Sequence, residues 1–68
     1  MRLVLPSPED VVPAVLLLWN SGISVSGAVV RDHGDSYGVA TILLDKDVAV
    51  ALALLAKAAF RYRRSFRF

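Results

Sequence analysis

Apolar and polar positions along the chain change period several times, and each change marks an element. Arg2 to Leu5 is a short apolar run stopped by Pro6, which reads as a first strand. Ser7-Pro8-Glu9-Asp10 is a helix-start signature, with a capping side chain, a proline suited to the first turn and two acids suited to the positive end of the helix dipole. Pro13 arbitrates between two starts. If Ser7 is the cap, Pro13 falls where a backbone N–H is needed and kinks the helix. If Asp10 is the cap, Pro13 is the third helical residue and loses nothing. Asp10 is the expected cap, residues 7–9 are a lead-in turn, and the helix runs to Trp19 or Asn20. Gly22 supplies the left-handed residue that closes it.

From Ile23 the period is two. Ile23, Val25, Gly27 and Val29 point one way, and Ser24, Ser26, Ala28 and Val30 the other. Arg31 to Ser36 is a turn cluster, and Tyr37 to Leu44 is the return strand of a hairpin. Asp45 is expected to cap a second helix, Val48 to Phe60, with Asp47 supporting its first turn and no glycine to stop it. The chain then reads as an aromatic strand. Phe60, Tyr62, Phe66 and Phe68 share one face, interrupted by Arg64, and Arg61, Arg63, Ser65 and Arg67 share the other. The order is β-α-β-β-α-β. With right-handed crossovers its compact solution is a single α+β domain over residues 1–68, the ferredoxin-like four-stranded antiparallel sheet with both helices on one face.

Composition changes the picture in one respect. The second helix, VAVALALLAKAAF, carries Lys57 as its only charge, and a surface helix on a small monomer needs a polar side. A chain of 68 residues buries only roughly 60% of its unfolded surface, so its margin of stability is thin. There is no cysteine, which removes disulfides and thiolate zinc sites together, and His33 is the only histidine. Assembly with further copies is the staple that remains, and a homodimer or higher oligomer is expected. Val11 to Val30 contains no charge and has about the length of a membrane span. Asn20-Ser21-Gly22 in its middle and the strand spacing after it argue against one, so no membrane partner is expected. The N-terminal run meets Pro6, Pro8 and two acids too soon for a secretory signal. The absence of cysteine fits a cytoplasmic location.

The run Leu16-Leu17-Leu18-Trp19-Asn20-Ser21-Gly22-Ile23-Ser24-Val25 resembles the ACT domain, in which a leucine-rich helix ends in Gly-Ile-x-Ile/Val and leads into a hairpin. Gly38-Val39-Ala40-Thr41-Ile42-Leu43-Leu44-Asp45, followed by an alanine-rich helix, is similar to that family's third strand and second helix. The resemblance covers nearly the whole chain. It implies a small non-enzymatic regulatory module that pairs edge to edge or helix to helix and binds an amino acid at the seam. Ser24 stands where some members place a polar side chain on the ligand. The first loop departs from the family: Pro6-Ser7-Pro8-Glu9-Asp10 lacks the glycine of the Asp-x-Pro-Gly-type turn.

Other candidate chemistry is thin. Asp32, His33 and Asp35 gather oxygen and imidazole groups in one turn, but no second histidine stands at useful spacing, so a solvated turn and no metal are expected. Four of the eight basic residues lie in the last eight positions, interleaved with aromatics. That pattern offers an alternative reading, a nucleic-acid-binding strand using Arg61, Arg63 and Arg67. The stacking aromatics of RNA-recognition folds lie on the central strands, and that pattern is absent. Ser7, Ser21, Ser24 and Ser26 have no histidine within reach, and Glu9 and Asp10 are explained by the helix dipole. Trp19 is expected to pack in the core with its N–H on a carbonyl. No enzyme and no cofactor are expected.

Overall fold

The computed structural model describes residues 1–32 and 35–65. Its elements are β1 (Arg2–Leu5), α1 (Val11–Asn20), β2 (Val25–Asp32), β3 (Asp35–Ile42), α2 (Val48–Lys57) and β4 (Arg63–Ser65), with short 3-10 turns at Pro8–Asp10 and Asp45–Asp47. The strands form one antiparallel sheet in the order β2-β3-β1-β4. The architecture is α+β, two helices and a four-stranded antiparallel sheet.

Both helix starts are built the same way. Asp10 precedes α1, as the position of Pro13 requires, yet its side chain makes no capping bond. Asp47, not Asp45, precedes α2, and it makes none either. The 3-10 turns are the reason. Val11 N–H donates to Pro8 O and Val48 N–H to Asp45 O, so each turn runs on into its helix and holds Asp10 and Asp47 at helical backbone angles (φ −82°, ψ −11° and φ −92°, ψ −8°) instead of the extended ones of a capping residue.

The helix ends are built alike too. Gly22 has φ +82°, its N–H donates to Trp19 O at 3.0 Å, and Ile23 N–H donates to Leu18 O at 3.0 Å. This is the Schellman pattern, with Ile23 beside Leu18 completing the apolar contact. The sequence pattern carries the second helix to Phe60 without a stop. It ends instead at Lys57 in the same motif, with Ala59 at φ 64° and Phe60 N–H donating to Leu55 O at 2.9 Å.

The hairpin strands sit two residues later and two residues earlier than their sequence patterns suggest. Ile23 gives its N–H to the helix closure, so β2 begins at Val25. Pairing then runs on through Arg31↔Ser36 and Asp32↔Asp35, into the stretch expected to be turn. His33 lies outside the described residues. Only Arg63–Ser65 of the expected terminal strand is a described strand; Phe66, Arg67 and Phe68 lie outside the described residues.

Register divides the sheet into two faces. Leu3 and Leu5 lie opposite Ala40 and Gly38, which lie opposite Gly27 and Val29. This face meets both helices in one core with Val11, Ala14, Val15, Leu18, Ala51, Leu52 and Leu55. Phe60 and Tyr62 pack against its rim. The approach of α1 is close because two glycines lie beneath it. A Cβ at Gly38 would collide with Val11 Cγ2, and one at Gly27 would stand 2.9 Å from Val15 Cγ2. No polar or charged side chain among the described residues is buried.

Candidate interaction surface

The exposed apolar residues are unevenly placed. Val12 (66% exposed), Leu16 (47%) and Trp19 (54%) follow one another at helical spacing along the outside of α1. The inner stripe of the same helix is Val11, Ala14, Val15 and Leu18, all buried. Helix α1 therefore carries two apolar stripes, and only one is covered by its own sheet. Val29 on β2 and Leu43 just past β3 are also exposed. The outside of α2 is milder: Ala49, Val50, Ala53 and Ala56 are exposed, while Ala51, Leu52 and Leu55 are buried. The sequence pattern points to the second helix, yet the larger exposed side chains stand on the first.

Two shallow clefts join these residues. One, of about 190 Å³, runs between α1 and β2 and is lined by Val12, Val15, Leu16, Trp19 and Gly27. The other, of about 490 Å³, is wide open and lined by Trp19, Ile23, Ser24, Val25 and Leu43. Trp19 belongs to both. Its Nε1–H donates to Val25 O at 2.7 Å. The indole thus finds a carbonyl, as expected, but half of the ring remains in water instead of entering the core.

Ser24 is exposed on the rim of the wider cleft, and its backbone carbonyl accepts the Leu43 N–H at 3.1 Å. The Pro6–Asp10 loop leaves β1 beside Gly38 and Val29, five residues along β2 from Ser24. Within one chain the sheet holds this loop and Ser24 at opposite ends, roughly 17 Å apart at the usual strand rise. Arg61 and Arg63 are exposed at the other edge of the sheet, and Arg63 pairs with Val4 on the face away from the helices. Arg67 lies outside the described residues, as does part of the Asp32-His33-Asp35 turn. Among the described residues no three His, Cys, Asp or Glu side chains gather around a common point. No described helix is long and apolar enough to cross a membrane.

The face of the sheet away from the helices holds a third hollow, of about 270 Å³, with Arg2, Ser26, Val30, Val39 and Thr41 around it. Val4 on the same face is only 8% exposed, and this face offers less apolar surface than the side made by α1 and β2. Comparison with family models, with curated proteins and with solved structures finds no match to this chain.

Proposed function

We propose that the chain is a non-enzymatic, self-associating module with a ferredoxin-like βαββαβ fold, of the ACT-like regulatory kind. The element order and the strand order β2-β3-β1-β4 support the fold reading. The observation that carries self-association is the outer stripe of α1. Val12, Leu16 and Trp19 are 47–66% exposed on a helix without a single charged residue. Monomeric proteins rarely expose contiguous apolar patches larger than a few hundred Å², and larger ones mark contact surfaces. A second copy covers such a stripe most simply, because each copy brings the same need.

The test is the mass in solution. Sedimentation at micromolar concentration should give at least twice the 7.4 kDa of one chain. A well-folded, persistent monomer overturns the reading. A small effector, such as a free amino acid, at the seam of the assembly is the second part of the proposal. It is supported by the cleft that joins Trp19, Ser24 and Leu43. A ligand selective for the folded state raises the melting temperature. Titration with free amino acids should therefore raise it, and no rise with any of them removes the effector.

A further inference from the structure

We propose that the face of the sheet away from the helices binds single-stranded RNA, with a base stacked on Tyr37 and phosphates held at the arginine edge made by β4. This role is separate from self-association, which uses the outside of α1.

Register places the residues. Leu3, Leu5 and Ala40 face the helices, so the alternate positions Arg2, Val4, Tyr37, Val39 and Thr41 belong to the open face of the two central strands. Across the sheet, Tyr37 lies opposite Val30, Thr41 opposite Ser26, and Val4 opposite Arg63. Among the described aromatics, Trp19 stands on α1, and Phe60 and Tyr62 pack against the core. Tyr37 is therefore the ring left to the open face, partly exposed on a central strand. Arg63 and Tyr37 stand roughly 12 Å apart, two strand spacings across and two residues along. A strand of nucleotides crossing the sheet obliquely can set a phosphate on the first and a base on the second.

Charge decides the class of ligand. Arg61 and Arg63 are exposed at the β4 edge, and Arg2 is exposed on β1 next to it. No acid occupies a position on this face between Arg2 and Tyr37; positions 32 and 35, at the far end of the hairpin, are the first that do. Glu9, Asp10, Asp45 and Asp47 belong to the 3-10 turns that start the helices. A cationic edge beside an aromatic ring and a floor of Val30 and Val39 complements phosphates joined to flat bases. A duplex fits less well, because its bases are already stacked on one another. Ser26 and Thr41 line the hollow of about 270 Å³ on this face, and their hydroxyls can both donate and accept, as a ribose 2′-OH does.

Fluorescence anisotropy of the full chain with a labelled single-stranded RNA of about 12 nucleotides is the test. Binding should weaken as salt rises, with a log–log slope of about −0.7 for each phosphate held. Arg63→Gln should weaken binding and reduce that slope by about 0.7. Tyr37→Leu should weaken it at least about fivefold, and Tyr37→Phe should keep it. Arg64→Gln removes the same charge from the same strand, at the position opposite Leu3 on the helix side, and should have the smaller effect. No binding at low salt overturns the proposal. So do equal losses from Arg63→Gln and Arg64→Gln, and so does single-stranded DNA or an RNA duplex bound as tightly as the single-stranded RNA. Polyglutamate bound more tightly than the RNA overturns it in favour of an acidic protein. If Tyr37→Leu does not fold, ultraviolet cross-linking of the wild type to the same RNA carrying 4-thiouridine decides. Adducts at Tyr37 support the proposal, and adducts confined to α1 or α2 overturn it.

Discussion

The two halves of this molecule, residues 2–32 and 35–65, run through the same local events. Each has a strand, a 3-10 turn containing two acids, a ten-residue helix and a Schellman closure. They differ in what stands at two positions. The first helix is closed by Gly22 and lies over Gly27 and Gly38; the second is closed by Ala59, which holds a left-handed conformation that costs an L-residue about 1–2 kcal/mol. The comparison teaches that each closure is imposed by the apolar residue just beyond it. Ile23 and Phe60 each have their N–H on the helix three residues from its end and their side chain in or against the core. That pull is met cheaply by glycine in one half and against the local preference in the other.

Removing the core anchors tests how alike the halves are. Leu18 and Leu55 occupy the same place in the two closures, and each is 1% exposed. Leu18→Ala and Leu55→Ala should each cost about 2–5 kcal/mol in urea unfolding. Losses that differ by more than about 2 kcal/mol would show that the halves do not share the core equally. Gly38→Ala probes the close approach that α1 alone makes, over a glycine contributed by the second half. The new methyl meets Val11, which is buried and stiff at χ1, so a loss of about 1–3 kcal/mol is expected by the same measurement. Trp19→Phe keeps a ring on the outside of α1 but removes its bond to Val25 O. A loss of about 1 kcal/mol is expected, with no counterpart in the second half. The closures themselves should respond with opposite signs. Ala59→Gly should raise stability by up to about 1 kcal/mol, and Gly22→Ala should lower it by about as much. Equal signs in thermal unfolding would break the comparison at its base.

Much of this fold is legible in the sequence because its signals are local. Pro13 fixes the start of α1, Gly22 its end, and the two-residue period from Ile23 the face that the hairpin buries. The departures come from demands that only the assembled chain makes. Ile23 is read as strand by its period but belongs to the helix closure. Ala59 carries no signature of a left-handed residue. The hairpin pairs through Asp32↔Asp35 because two twisted strands continue to exchange bonds past the point where apolar alternation ends. The candidate surface is half legible. Val12, Leu16 and Trp19 stand at spacings of four and three, a second apolar stripe that can be counted in the sequence. That Arg63 and Tyr37 share the open face of the sheet depends on strand order and register, and neither is written in any local pattern.

The notch under the first helix constrains how this chain can change. The methyls of Val11 fill the space that a side chain at position 38 would take, and those of Val15 do the same above position 27. Residues 11 and 38 are therefore a lock with an order of opening: position 11 must shrink before position 38 can grow. A lineage of such domains that acquired alanine at 38 would carry a smaller residue at 11 as its earlier step, and the reverse history would pass through a crowded intermediate.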